Sequence, residues 1–395
     1  MSSKYSIVVP VRNCARYLPF CIGSITGQAY DDYELLVSND HSEDGTAEFL
    51  ETIRGNPNVR ILEPPERLPV CRHFDFAVSQ AVGEWIMTLG GDDGIQPYFF
   101  NLADRLVELA RARGIRAISS RRAYLFWPGC EGAYGKTAIS YEARFEVAVR
   151  DSRRERYRRL FSGGDSYYTL PQMYATSIFH RSLLSEIRAK AGTFYFYSIS
   201  DANMAASASL LEKRFLECGV PLGWVGTSPG SVYRPKEVLN YLELDHRYGS
   251  YDLGDSAMYF WGALRECAVR FGGARFLSSR VFTVALLASL RNRVLEGKIG
   301  KVQDVAAANR VSYRLVEAVA GAERVLSAAL ELPRRAVRKA VSLAAELVRT
   351  GESTKGYLKH LDWEDGARID FAEQSAEILA DVLPMIEAAF PVDNR

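Results

Sequence analysis

The sequence predicts an α/β fold, built on a mainly parallel sheet with helices on both faces and followed by an all-helical C-terminal region. From residue 4 to about residue 119, short apolar runs alternate with segments of helical periodicity. This alternation is typical of βαβ units, which form parallel sheets covered by helices. Beyond residue 235, strand signals nearly disappear and alanine-rich helical patterns replace them.

The amino-terminal part consists of predicted strands and helices in alternation. The strands cover residues 5–9, 33–38, 59–62, 84–89 and 115–119. The helices cover residues 15–27, 45–54, 70–82 and 97–113. Residues 121–234 are less regular and richer in arginine and aromatic side chains, and we assign them to the second half of the same domain.

The composition is that of a globular protein. Of the 395 residues, 48% are hydrophobic, and the net charge of +1 gives no electrostatic case for binding nucleic acid. The six cysteines form no CxxC pair, which fits reduced thiols. No secretory leader is evident, and the longest apolar stretch, residues 281–290, is shorter than the ~20 residues that span a membrane. We therefore expect a cytoplasmic protein, and peripheral contact with a membrane stays open.

Acidic side chains follow two of the predicted strands. Asp40 comes after the second strand, and Asp92 and Asp93 come after the fourth, behind two glycines. Ligands of open α/β sheets bind beyond the carboxyl ends of strands, and Mg²⁺ or Mn²⁺ is commonly held by carboxylates together with phosphate oxygens. The pattern therefore indicates a metal-assisted nucleotide site. Taken alone, each motif could also be a solvated turn before a helix.

Several common motifs are absent from the sequence. There is no GxGxxG after the first strand and no GxxxxGK[ST], so a bound diphosphate would need a metal ion. HExxH, GxSxG and a Cys-His-Asp order are absent as well, which leaves hydrolase chemistry without support.

Three segments resemble family 2 glycosyltransferases in order and spacing. They are residues 6–13 (SIVVPVRN), 36–46 (LVSNDHSEDGT) and 83–93 (GEWIMTLGGDD). The resemblance implies the GT-A nucleotide-diphospho-sugar transferase fold and an inverting transfer that depends on Mn²⁺ or Mg²⁺. Two departures from the family pattern stand out. Gly90 occupies the first acidic position of Asp-x-Asp-Asp, and Asn39 and His41 replace the usual Asp and Gly around Asp40.

The same resemblance implies the functional residues. The donor nucleotide would be bound by Pro10, Val11, Arg12, Asp40, Arg72 and Asp92, and the metal by Asp92 and Asp93. A general base must take a proton from the acceptor hydroxyl, a role that typically contributes ~10²–10⁴-fold to the rate. Asp201 stands where family members carry an acidic base. On its own it could also cap the helix that follows.

We therefore expect a GT-A catalytic domain over residues 1–235, with a nucleotide-binding half at 1–119 and an acceptor half at 120–235, and a helical region over 236–395. The expected reaction moves a sugar from a UDP- or dTDP-type nucleotide sugar to a hydroxyl of a glycan or lipid-linked saccharide, as in cell-surface polysaccharide biosynthesis. The alternatives are a non-catalytic nucleotide-binding scaffold and a nucleotidylyltransferase, although the latter normally has a glycine-rich loop after the first strand. The helical region leaves homo-oligomerisation open.

Overall fold

The computed structural model describes residues 3–127, 147–162, 167–229, 256–272 and 311–322, together with residues 286, 287, 290, 294, 302, 303, 306 and 307. Its strands are β1 (Tyr5–Val11), β2 (Tyr33–Asn39), β3 (Val59–Leu62), β4 (Trp85–Thr88), β5 (Gly94–Ile95), β6 (Ala117–Ser120), β7 (Ala123–Phe126), β8 (Val147–Asp151), β9 (Ser177–His180), β10 (Arg214–Cys218) and β11 (Gly223–Thr227). Its helices are α1 (Leu18–Thr26), α2 (Thr46–Ile53), α3 (Val70–Ser79), α4 (Phe99–Ala112), α5 (Ser152–Ser162), α6 (Arg181–Ala191), α7 (Ser200–Leu211) and α8 (Ser256–Arg270).

Eight strands form one mixed sheet in the order β3-β2-β1-β4-β9-β6-β10-β8. Strands β3, β2, β1 and β4 are parallel, as are β6 and β10. Strand β9 is antiparallel to both of its neighbours, and β8 is antiparallel to β10. Because β2 lies on one side of β1 and β4 on the other, the strand order reverses at β1. In open α/β sheets, ligands bind at the carboxyl ends of strands at such a point.

Helices cover both faces of the large sheet. On β1, Ile7 and Val9 belong to one hydrophobic cluster with residues of α1 and α4. Val8 belongs to a second cluster, with residues of α3, α6, α7 and α8. Successive side chains of a strand point to opposite faces, so each central strand serves both cores and is apolar along most of its length. The prediction of an α/β fold with helices on both faces is confirmed.

A second sheet of three strands lies outside the predicted pattern. Strand β11 is antiparallel to β5 and parallel to β7. Strand β5 has only two residues, too few to show any periodicity. Strand β11 runs so close to the loop before β5 that Gly226 has no room for a side chain, because a Cβ there would collide with the carbonyl oxygen of Asp92. The small sheet therefore fixes the position of this acidic loop.

The predicted C-terminal helical region is described only in part. Helix α8 and residues 313–322 are helical. Helix α8 packs into the same cluster as α7, and Phe260 stacks on Tyr167 with 5.8 Å between ring centroids. The expected boundary near residue 235 and residues 323–395 lie outside the described residues. Within the described parts, no helix combines the length and apolar character needed to cross a membrane.

Gly226→Ala should destabilise the protein, because the new methyl group cannot fit against the Asp92 carbonyl unless one of the two backbones moves. Overpacking of this kind costs about 1–3 kcal/mol. Gly23→Ala is the matched control, since Gly23 lies within α1 with open space around it. Alanine is favoured over glycine within a helix by roughly 0.5–1 kcal/mol. Urea unfolding should show opposite shifts, and a Gly226→Ala midpoint at or above that of the parent would contradict the close packing.

Candidate functional site

A cavity of about 420 Å³ opens at the carboxyl ends of the central parallel strands. Six of the predicted site residues line it, namely Pro10, Val11, Arg12, Asp40, Asp92 and Asp201. Two predicted residues are not among its lining: Arg72, an exposed residue of α3, and Asp93, which is fully buried. The cavity thus joins residues from both halves of the expected catalytic domain.

The loops that follow β1 and β2 are joined by hydrogen bonds to side chains. The N–H of Asn13 donates to Ser42 Oγ at 2.9 Å, and Asn13 Oδ1 accepts from the N–H of Glu43 at 2.8 Å. Asp44 Oδ2 accepts from the N–H of Ala15 at 2.9 Å. These reciprocal bonds hold the two loops together at one side of the cavity.

Asp40 is buried at the end of β2, with 2% of its surface exposed. Its Oδ1 accepts from the N–H of Leu68 at 2.9 Å, and its own N–H donates to the carbonyl oxygen of Val11 at 3.0 Å. Nearby, burial lowers the pKa of Arg12, an effect that the charge of Asp40 opposes. His41, which replaces the usual glycine, has φ of 50°. This left-handed conformation is the one that glycine adopts most readily.

His73 and Phe74 of α3 also line the cavity, although neither was predicted. His73 Nε2 lies 2.9 Å from Ser38 Oγ, and burial lowers the pKa of His73 to about 4. The imidazole is therefore neutral at pH 7. An isolated histidine in a helix gives no sequence signal for such a position.

Asp93 holds the acidic loop in place from behind. Its Oδ2 accepts from the N–H of Gly90 at 2.6 Å, and its Oδ1 accepts from the N–H of Gly226 at 2.8 Å. The hydroxyl of Tyr174 lies beside the same carboxylate, and its interaction with that carboxylate lowers the pKa of Asp93. Burial, and then the neighbouring charge of Asp92, raise the pKa of Asp93 to about 7. Because its two oxygens accept from the N–H groups of Gly90 and Gly226, and Asp93 is not among the residues that line the cavity, the geometry favours a structural role for Asp93, and its metal contact stays a prediction.

The donor set fits a divalent ion that takes most of its ligands from a diphosphate. Within the described ranges, no group of three His, Cys, Asp or Glu side chains is arranged to hold a metal ion. Asp92 is the carboxylate of the acidic loop that lines the cavity. Mg²⁺ is commonly bound by one or two carboxylates with phosphate oxygens and water, so one aspartate is sufficient when the diphosphate is present.

Asp201 lies in the first turn of α7, on the side of the cavity formed by the second half of the domain. Its Oδ1 accepts from the hydroxyl of Tyr167 at 3.0 Å, and its Oδ2 lies 3.8 Å from Arg122 Nη2. Burial raises the pKa of Asp201 above its ordinary value, an effect that the Arg122 charge and the Tyr167 hydrogen bond oppose. A carboxylate with a raised pKa is a better proton acceptor.

Arg122 and Tyr167 are functional candidates that sequence reasoning missed. Arg122 donates to Gln172 and lies over the ring of Tyr168, 3.9 Å from its centroid. It follows strand β6, so its position just beyond a strand end is a signal that could have identified it. Tyr167 offers no such signal, because it lies in a short 3-10 turn.

The segment that leads to Asp201 is attached to helix α3. Asp75 Oδ1 accepts from the hydroxyl of Thr193 and the N–H of Phe194, both at 2.6 Å, and from the N–H of Tyr195 at 3.2 Å. Cys71 Sγ donates to the carbonyl oxygen of Tyr197 at 3.1 Å. Helix α3, which lines the cavity through His73 and Phe74, therefore also positions the approach to Asp201.

Asp75→Ala should loosen residues 193–199, because it removes the acceptor of two backbone N–H groups. A buried donor left unpaired costs about 1–3 kcal/mol. Amide hydrogen exchange should become faster in this segment, while exchange in β1 stays unchanged. Asp32→Ala is the control, since Asp32 accepts from the N–H of Lys4 at an exposed position. Equal exchange of residues 193–199 in the two variants would contradict this attachment.

Comparison with known proteins finds a family match in the amino-terminal part. Residues 6–123 match the model of the glycosyl transferase family 2. A chondroitin synthase from Pasteurella multocida (strain Pm70) is 38% identical over 93 residues, which is 23% of this chain and 10% of that protein. Glycosyltransferase GlyG from Streptococcus pneumoniae serotype 4 is 31% identical over 94 residues, 24% of this chain and 31% of that protein. The chain thus spans about a third or less of the length of these relatives.

Similar solved structures extend over more of the chain at low identity. S. aureus TarS 1-349 in complex with UDP-GlcNAc has a TM-score of 0.49 and 16% identity, over 81% of this chain and 91% of that one. Mannosyltransferase PcManGT from Pyrobaculum calidifontis, in complex with GDP-Man and Mn²⁺, has a TM-score of 0.40 and 16% identity, over 81% of this chain and 87% of that one.

Proposed function

We propose that this chain, whose residues 6–123 match the model of the glycosyl transferase family 2, is an inverting glycosyltransferase. It would move a sugar from a UDP- or dTDP-type nucleotide sugar to an acceptor hydroxyl with the help of Mn²⁺ or Mg²⁺. The observation that carries this proposal is the shared cavity of Asp92 and Asp201. It supplies one carboxylate for a metal–diphosphate complex and a second, separate carboxylate for proton transfer.

The nucleoside would bind between the loops that follow β1 and β2. The Asp40 carboxylate lines the cavity, and a carboxylate can accept from a base N–H or a ribose hydroxyl. Arg12 lies beside it and can donate to the ribose or the diphosphate. Asp92 would hold the metal, which neutralises the charge that develops on the departing diphosphate.

Asp201 would act as the general base. It takes the proton from the acceptor hydroxyl while that oxygen bonds to the anomeric carbon of the sugar. The bond from this carbon to the diphosphate breaks, and its electron pair leaves with the diphosphate. Attack opposite to the leaving group inverts the anomeric configuration. Tyr167 and Arg122 fix the carboxylate in one orientation, so little reorganisation is needed during the transfer.

The acceptor side of the proposal follows from the family and the position of Asp201. We propose a hydroxyl of a glycan or of a lipid-linked saccharide, as in the synthesis of cell-surface polysaccharides. We also propose that residues 1–119 bind the donor and residues 120–235 the acceptor, since Asp92 and Asp201 come from these two parts. The β1–α1 loop, PVRNCAR, has no glycine, which does not favour nucleotidylyltransferase chemistry.

Donor binding should depend on the metal through Asp92. Calorimetry with UDP, dTDP and GDP, with Mn²⁺ or with EDTA, should identify one nucleotide that binds at least about tenfold more tightly with Mn²⁺. Asp92→Asn should remove this gain, because a neutral amide binds a divalent cation weakly. Asp31→Asn, at the amino end of β2, is the matched control and should keep it. An Asp92→Asn protein with the full Mn²⁺ effect would refute the assignment of Asp92.

Turnover should depend on Asp201. With the sugar nucleotide that the binding panel identifies, Asp201→Asn should lower kcat by about 10²–10⁴-fold and leave the nucleotide Kd within about twofold. The base acts when deprotonated, so kcat of the parent should fall as the pH drops through the Asp201 pKa, which lies above its ordinary value. The variant should lose this limb of the pH profile.

Release of nucleoside diphosphate can be followed with water as acceptor, and near-normal release by Asp201→Asn would favour another base. No release by the parent with any sugar nucleotide would support the non-catalytic scaffold.

A further inference from the structure

The segment before β9 has an unusual backbone at the edge of the cavity. Met173 and Ala175 have φ of 52° and 39°, values in the left-handed region that residues other than glycine rarely adopt. Both are held to the end of β4, since the N–H of Thr88 donates to the carbonyl oxygen of Met173 at 3.1 Å and the N–H of Ala175 donates to that of Thr88 at 2.9 Å. Between them, Tyr174 lines the cavity. Strained backbone of this kind is concentrated at functional sites.

The hydroxyl of Tyr174 lies next to Gly90. A Cβ on Gly90 would be 3.0 Å from this hydroxyl and 3.1 Å from both Asp92 Oδ1 and Asp93 Oδ2. The hydroxyl therefore lies beside the Asp93 carboxylate, and an O–H group can donate to a carboxylate oxygen. The space beside position 90 is therefore taken by a neutral hydroxyl from a distant part of the chain.

We propose that Tyr174 is a positioning residue of the metal–diphosphate site. Its hydroxyl occupies the space beside Gly90 and holds Asp93, so that of the two aspartates only Asp92 faces the cavity. This inference rests on the proposed function. An acidic side chain at position 90 would add a third carboxylate beside Asp92 and Asp93, and Asp93 is fully buried. With glycine at position 90 and the Tyr174 hydroxyl beside it, the loop avoids this repulsion and is still held in place.

The decisive comparison is between two variants that each remove one tyrosine hydroxyl. Tyr174→Phe removes the hydroxyl beside Asp93, whereas Tyr195→Phe removes the hydroxyl of a buried tyrosine that is not among the residues that line the cavity. Tyr174→Phe should weaken nucleotide binding about tenfold in Mn²⁺ and leave binding in EDTA unchanged, because the nucleoside contacts are intact. Tyr195→Phe should keep the affinity of the parent in both buffers. A merely structural role would lower thermal stability without this metal-specific loss.

Two results would overturn the proposal. The first is a Tyr174→Phe protein with the Mn²⁺-dependent affinity of the parent, and the second is an equal loss of affinity in Mn²⁺ and in EDTA. If the parent itself binds no nucleotide with Mn²⁺, the proposed function fails and the role of Tyr174 fails with it. Nucleotide binding by the parent with Mn²⁺ therefore shows whether the proposed function or only the role of Tyr174 has failed.

A double-mutant cycle tests the shared space without any ligand. Gly90→Ala should lower the unfolding midpoint in the parent, because its methyl group meets the Tyr174 hydroxyl. In the Tyr174→Phe background the same substitution should lower the midpoint less, since the hydroxyl is gone. Neighbouring sites that share space are non-additive, whereas independent sites are additive. Additive shifts would overturn the claim that Tyr174 occupies this space.

Discussion

The buried carboxylate of Asp93 is the interaction on which the arrangement of the site depends. It joins two segments that are far apart in sequence, the loop at Gly90 and strand β11 through the N–H of Gly226, and it lies beside the Tyr174 hydroxyl of the segment before β9. A buried carboxylate is costly unless hydrogen bonds satisfy it, so these polar neighbours are needed together. Asp93 is held by these hydrogen bonds behind the loop, whereas its neighbour Asp92 lines the cavity.

This arrangement also explains how the two halves of the domain meet. Strands β1, β2 and β4 end at the side of the cavity where we propose that the nucleoside binds, and helix α7 carries Asp201 in its first turn. Helix α3 contacts both, since His73 lines the cavity and Asp75 binds the segment that leads to α7. A change in the segment at either end of α3 would therefore alter the distance between the proposed metal–diphosphate position at Asp92 and the proposed base, Asp201. We infer that stable packing of α3 matters for catalysis as well as for stability.

Local sequence patterns predicted five of the eight strands of the large sheet and none of the strands of the small one. The first strands and helices were placed to within a few residues, because buried parallel strands are apolar runs and the helices between them are amphipathic. The strand-end rule predicted Asp40 and Asp92, the family resemblance predicted Asp201, and all three line one cavity. Strand β5, the hydrogen bonds of Asp93 and the position of Tyr174 beside Gly90 were not predicted. Each of these depends on contacts between distant residues, such as the bond from Gly226 to Asp93, which local periodicity cannot reveal.

The most direct test of the account is a crystal structure of the chain with Mn²⁺ and the nucleotide that it binds, in which anomalous scattering locates the metal. We predict one manganese peak in the cavity, bonded to the Asp92 carboxylate and to oxygens of the diphosphate, with Asp93 still bonded to the N–H groups of Gly90 and Gly226. A peak bonded to Asp93, or a nucleotide bound without any metal near Asp92, would contradict the central claim.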